Sequence, residues 1–123
     1  MLASRISVIE TALSDIATVG AGFIDQVSDF PAVALLRPSV SRAHIGDRST
    51  IDAFSFIVRG YVLSDEDSIQ DSETLARNIE RVIQSLSSPL LYSARVISVE
   101  TDEGLLSPYG MCDVACEVSW INE

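Results

Sequence analysis

The C-terminal segment alternates in polarity more regularly than any other part of the chain, and it constrains the fold most. Between residues 111 and 121 the apolar positions of the alternation are Cys112, Val114, Cys116, Val118 and Trp120. The intervening positions include Asp113, Glu117 and Ser119. A period of two predicts a β-strand, because successive side chains of a strand point to opposite faces. We therefore expect a sheet with one buried face and one face that is wetter or covered by a partner.

Both cysteines of the chain, Cys112 and Cys116, lie in this predicted strand. Four residues along a strand separate their Cα atoms by about 13 Å, whereas a disulfide requires less than about 7 Å. A metal site would need further Cys or His ligands, and the single histidine, His44, is far away in sequence. The spacing therefore predicts two buried, free thiols.

Helical and strand periodicities divide the rest of the chain into successive elements. They predict a helix over 4–18, strands over 30–37 and 51–63, a second helix over 72–86, and strands over 92–101 and 111–121. The order α-β-β-α-β-β predicts a two-layer α+β fold, in which two helices pack on a mainly antiparallel sheet of about four strands. A chain of 123 residues suits a single domain over 1–123. Gly60 predicts a β-bulge, and Asp71 predicts a helix cap.

The segment from Pro38 to Thr50 is polar and has no clear periodicity, so it predicts a loop. This segment and its flank carry three arginines and the histidine: Arg37, Arg42, His44 and Arg48. Two interpretations stay open. The segment is a mobile surface loop, or it becomes ordered against an acidic neighbouring subunit or a phosphate backbone.

No group of residues has the pattern of a catalytic or cofactor site. His44 lacks the G-x-S-x-G context of a serine hydrolase, and the sequence contains no phosphate-binding or dinucleotide-binding glycine motif. The acidic run over 65–73 lacks the glycine of an EF-hand, and Ile69 occupies a ligand position. Asp102 and Glu103 are adjacent residues of a turn. We predict no catalytic residue, no cofactor and no metal.

The formal net charge is −10, and every basic residue is arginine. This balance argues against the whole chain gripping nucleic acid, which requires a basic patch. Arginine is the cation preferred at protein interfaces, although genomic composition explains its exclusive use equally well. No apolar run approaches the roughly 20 residues of a membrane span. Glu10 and Asp15 interrupt the apolar run that a signal peptide would require. We expect a protein of the cytoplasm with no membrane partner.

Three stretches of the sequence carry a family resemblance. They are Arg59–Val62 (RGYV), Glu73–Glu80 (ETLARNIE) and Thr101–Gly110 (TDEGLLSPYG), the last leading into the alternating strand. Together with the order of elements over about residues 5–121, they resemble the tail terminator, or tail completion, proteins of tailed bacteriophages.

The resemblance implies a structural protein of the virion, assembled in the host cytoplasm. Such proteins form a ring, usually a hexamer, on the tail tube protein. The ring ends tube growth and docks the head connector or stopper protein, while DNA passes through the lumen without specific binding. Two alternatives remain: another neck protein, such as a head-completion stopper, and a small cytoplasmic enzyme or ligand-binding domain.

A ring requires surfaces that sister subunits cover, and closed cyclic symmetry brings two different patches together. The candidate residues lie on the second face of the long strand and in a predicted apolar loop: Ile57, Arg59, Tyr61, Leu63, Leu105, Leu106 and Tyr109. The candidates for facing the lumen or a partner are Arg37, Arg42, His44 and Arg48.

Overall fold

The computed structural model describes residues 2–19, 30–46, 49–63, 68–87, 89–101 and 109–122. Their elements are α1 (Leu2–Leu13), β1 (Thr18–Val19), β2 (Ala32–Ile45), β3 (Ser49–Leu63), α2 (Ser68–Gln84), β4 (Leu91–Thr101) and β5 (Tyr109–Asn122). The α+β class, both predicted helices and the four predicted strands are confirmed. No helix of the described residues is long and apolar enough to cross a membrane.

The described strands form one five-stranded sheet in the order β1-β2-β3-β5-β4. β1 pairs in parallel with β2, and all other pairs are antiparallel. The predicted sheet of about four antiparallel strands is therefore corrected to a mixed sheet, which among the described residues contains the additional strand β1. The predicted order α-β-β-α-β-β accordingly becomes α-β-β-β-α-β-β in the part of the chain that the structure describes. The first helix is also shorter than predicted, because the Thr18 N–H donates to the carbonyl of Pro31 at 3.0 Å and places Thr18 in the sheet.

The predicted loop over 38–50 is wrong, because β2 continues to Ile45 and forms a hairpin with β3. A register shift between Leu36 and Ser39 places one extra residue in β2 around Pro38. Proline lacks the N–H of a regular ladder, and a bulge accommodates it. Gly46 follows the strand with a φ of 78°, a conformation that favours glycine.

Gly60 does not form the predicted bulge, since the pairing of β3 with β5 runs through it without a shift. Instead, α2 approaches the sheet closely at this residue. A Cβ atom at Gly60 would lie 2.6 Å from Cδ2 of Leu75 and 2.8 Å from Sγ of Cys112. Asp71 is likewise not the cap, because α2 begins at Ser68 and Asp71 lies within its first turn.

Both helices contribute to a core on one side of the sheet, which we call the helix-facing side. The buried strand residues on this side include Phe54, Phe56, Val58, Cys112, Val114, Cys116, Val118 and Trp120. From the helices, Ile9, Leu13, Leu75, Ile79 and Ile83 pack against them. The predicted alternation of the last strand is confirmed, and both cysteines are buried and form no disulfide. Burial, with a smaller contribution from Glu80, raises the pKa of the Cys116 thiol to about 12.

Candidate interaction surfaces

A buried carboxylate fixes the β2–β3 hairpin to the N-terminal helix. Asp52 is only 3% exposed. Arg42 donates to its two oxygens from Nε at 2.6 Å and from Nη2 at 3.0 Å, and Nη1 of Arg5 lies 3.4 Å away. The two bonds from Arg42 form a bidentate, charge-assisted pair. These bonds hold the pKa of Asp52 down at about 2, against the opposing effect of its burial.

Arg5 completes this group, which we call the Asp52 cluster (Arg5, Arg42, Thr50, Asp52 and Asn122). Nη2 of Arg5 donates to Oδ1 of Asn122 at 2.5 Å, and Nδ2 of Asn122 donates to Oγ1 of Thr50 at 3.0 Å. The Arg5 guanidinium also lies 5.7 Å from the ring centroid of Phe54 and 5.5 Å from that of Trp120. Such cation–π contacts are attractive. Because its pKa is held low, Asp52 carries a negative charge at neutral pH, and its ion pair with Arg42 stabilises the fold.

Arg42 and His44 were predicted to face the lumen or a partner from a loop, and the structure places both on β2. Arg42 is engaged with Asp52 in its own chain but keeps a side chain that is 53% exposed. His44 is exposed opposite Thr50. Arg37 lies in β2, with a side chain outside the description, and Arg48 lies outside the described residues. Their contact with a partner stays a prediction.

The opposite side of the sheet, which we call the outer face, carries two cross-strand ion pairs. Arg59 lies opposite Asp113 in the register, and its Nε and Nη2 donate to the carboxylate at 2.7 and 2.9 Å. These hydrogen bonds raise the pKa of Arg59. Arg95 lies opposite Glu117 and donates to it at 2.8 Å. Arg59 and Arg95 on this face therefore each have a carboxylate of their own chain beside them.

The predicted interface strip on β3 does lie on the outer face, but its residues differ in accessibility. Tyr61 is buried at 4% exposure, whereas Leu63 is 50% exposed. Ile57 is half-buried, and Arg59 is half-buried in its pair with Asp113. Two further candidates, Leu105 and Leu106, lie outside the described residues, and Tyr109 begins β5 with a side chain that is not described. Whether sister subunits cover these residues stays a prediction.

Sequence reasoning missed an apolar strip along β4, the strand at one edge of the sheet. Tyr92 is 62% exposed, Ile97 is 57% exposed and Val99 is 45% exposed; we call these three residues the β4 strip. Register shifts between Leu91 and Ser93 and between Val96 and Ser98 make Tyr92 and Ile97 the extra residues of two bulges. The sequence carries a signal of this strip, since apolar residues occupy both the even-numbered and the odd-numbered positions of this segment. That pattern conflicts with a strand having one solvated face.

Two hollows flank α2. One, of about 250 Å³, lies beside the end of β3 and gathers Asp71, Thr74 and Asn78 from the helix. The other, of about 140 Å³, lies between α2 and β4 and is bounded by Glu73 and Glu80. Among the described residues, no group of three or more His, Cys, Asp or Glu side chains is placed to hold a metal ion.

Neither a known protein family nor a curated protein sequence matches this chain. Among solved structures, the chain is similar to a chain of the virion of a native gene transfer agent particle, with a TM-score of 0.63. The two chains are 12% identical, and the match covers 91% of this chain and 84% of the other. At this identity the likeness establishes a shared fold.

Proposed function

We propose that this chain is a structural virion protein that forms a ring at the top of a phage-like tail tube. The ring ends growth of the tube and docks the tail to the head connector. The observation that carries the proposal is the fold shared, over nearly the whole chain, with a chain of a gene transfer agent virion. The resemblance of three sequence stretches to tail terminators points the same way. The chain acts by assembly rather than by turnover of a substrate, and it needs no cofactor.

Surface chemistry supports a protein that assembles. The apolar β4 strip is too exposed to contribute to the core, and its exposed area becomes useful only when a partner covers it. The β4 strip and the outer face of β3 are two different candidate patches that partners could cover, and a heterologous contact between different patches closes into a ring when the rotation allows it.

The charge distribution supports a lumen through which DNA passes without binding. The net charge of −10 repels phosphate. Arg59 and Arg95 on the outer face are neutralised by carboxylates at 2.7 and 2.8 Å. Binding to DNA depends on cations that are free to replace counterions at the phosphates. An outer face of paired arginines therefore presents little for a passing duplex to bind.

The test is assembly of tail tubes from the tube protein of the same particle, with and without this chain. We expect tubes of limited length carrying an annulus at one end in its presence, and longer tubes in its absence, measured in negative-stain images. Tubes of unchanged length, with the chain bound instead to the connector ring, would identify a stopper. A strict monomer that binds neither the tube protein nor the connector ring and retains a small molecule would favour a ligand-binding domain. That outcome would contradict the proposal.

A further inference from the structure

The two lateral edges of the sheet are both open among the described residues. β4, with eleven residues, forms one edge. At the other edge, β1 covers only Ala32 and Val33 of β2, which is fourteen residues long. The part of β2 that no described strand covers is therefore similar in length to β4. Each open edge presents backbone N–H and C=O groups that another strand can pair with.

The β4 edge lacks several devices that usually protect such a strand. Its sequence from Leu91 to Thr101 contains no proline and no lysine, and the exposed side chains of the β4 strip are large and apolar. Its two bulges restrict regular pairing to the stretches between and beyond them. These stretches are short, so a partner must also gain from side-chain contacts.

Strand direction favours the opposite edge of a second copy as that partner. β5 is antiparallel to both β3 and β4, and β2 is antiparallel to β3, so β4 runs antiparallel to β2. Rotation about an axis along the strands preserves their direction. The β2 strand of a neighbouring copy would therefore meet β4 in the antiparallel sense, which is the more stable pairing.

The side chains of the two edges also complement each other on the helix-facing side. Beside β4, Val99 shares a hollow with Glu73 and Glu80, together with Ala76, Arg77 and Thr101. At the β2 edge, the same side carries Val40, which is 44% exposed, and then Arg42, which is 53% exposed. An apolar residue is thus available to meet Val99. The Asp52 cluster next to Val40 has two arginines for one carboxylate, so the half-exposed Arg42 presents a net positive charge to the two glutamates.

We propose that the ring closes by strand addition, with the β4 edge of one subunit pairing with the β2 edge of the next. The sheets then join into one continuous sheet around the ring, and the β4 strip is covered by the neighbour. This inference rests on the ring of the proposed function and names its subunit contact.

Cysteine cross-linking tests the contact directly. The double variant Val40→Cys/Val99→Cys is treated with a short bismaleimide, whose span tolerates small differences in register. The native Cys112 and Cys116 are 0% and 2% exposed, so they do not compete for the reagent. We expect a denaturing gel to show a ladder of covalent multimers up to the full ring.

The single variants provide the decisive controls, because the two edges differ. Neither V40C nor V99C alone should cross-link, and a mixture of the two should give dimers and nothing larger. The matched control Val8→Cys/Val99→Cys carries a cysteine at Val8, which is 37% exposed and lies on α1 instead of an edge strand, and it should give no ladder. Cross-linking of V99C with itself would reveal a symmetric contact and overturn the proposal.

Two further outcomes separate this inference from the proposed function. Intact annuli in negative stain with no ladder in the double variant would overturn edge pairing while leaving the ring in place. A protein that stays monomeric at every concentration and also fails to close on tail tubes would overturn both.

Discussion

The last two strands of the sequence, β4 and β5, carry similar apolar residues that differ in how far they are buried. Val114 and Val118 of β5 are both 0% exposed, whereas Val99 of β4 is 45% exposed and Ile97 is 57% exposed. β5 has a strand on either side and helices above it, while β4 has a neighbour on one side only among the described strands. Position in the sheet, and not residue type, decides whether an apolar side chain stabilises the fold or stays available to a partner.

This contrast separates folding from assembly within one sheet. Substitutions on β5 and beneath α2 should lower the free energy of unfolding, because they alter contacts that are complete within the chain. Substitutions on the β4 strip should leave that free energy nearly unchanged and reduce only association.

The largest effect on stability should come from placing an aspartate on β5, compared with the same substitution on β4. Val114→Asp buries a carboxylate without a partner, which costs as much as the several kcal/mol of stability of an ordinary domain. We expect loss of the cooperative thermal transition by circular dichroism. Val99→Asp is the matched control, and it should melt within a few degrees of the native chain. Equal destabilisation by the two variants would show that β4 is as closely packed as β5.

The close approach of α2 to the sheet predicts the next effect. Gly60→Ala forces its Cβ against Leu75 and Cys112, and overpacking of this kind costs about 1–3 kcal/mol. Urea denaturation should show a lower midpoint with an unchanged slope. The cost should fall in a Leu75→Ala background, where the overlapping methyl group is absent. An undiminished cost in that background would assign the effect to the overlap with Cys112 instead of the overlap with Leu75.

The sequence predicts the elements whose patterns are local. Alternation in β5 places Val114 in the core, and the helical spacing of Leu75 and Ile79 places α2 over it. The same reasoning does not predict the β2–β3 hairpin. From Ser39 to His44 the β2 strand is exposed on both faces, so its sequence has no alternation of polarity. The end of α1 is set by the pairing of Thr18 with β2, a contact that no local pattern reveals.

The candidate surfaces were less accessible to sequence reasoning than the fold. The arginine-rich segment is visible in the sequence, but the pairing of Arg42 with Asp52 depends on the hairpin register. The β4 strip depends on strand order, since only the arrangement β3-β5-β4 makes β4 an edge. The local indication of an exposed apolar strip is that adjacent positions, such as Val96 and Ile97, are both apolar.

The Asp52 cluster predicts a pH dependence of smaller size. The folded pKa of Asp52, about 2, lies below its ordinary value of 3.8. The stabilisation is therefore fully present above about pH 4 and is lost as the pH falls towards 2. It amounts to roughly 1–2 kcal/mol, because solvent around the half-exposed Arg42 screens the pair. Asp52→Asn removes the titrating group, so the difference in unfolding free energy between the two proteins should shrink by that amount between pH 5 and pH 2. A constant difference over this range would mean that the pair contributes nothing beyond packing.

The smallest effect on stability should accompany a clear effect on assembly. Tyr92→Ser/Ile97→Ser removes the two most exposed side chains of the β4 strip, and exposed substitutions usually change stability by less than about 0.5 kcal/mol. We expect an unchanged melting temperature together with weaker self-association by light scattering after gel filtration. Ile69→Ser is the matched control, because Ile69 is 47% exposed but lies on α2. If removing Ile69 weakens association as much as removing the strip, loss of exposed apolar area is the cause, and the edge has no special part. Full association of the double variant would mean that Tyr92 and Ile97 do not contribute to contacts with a partner, and that they stay exposed in the assembly as they are in the single subunit.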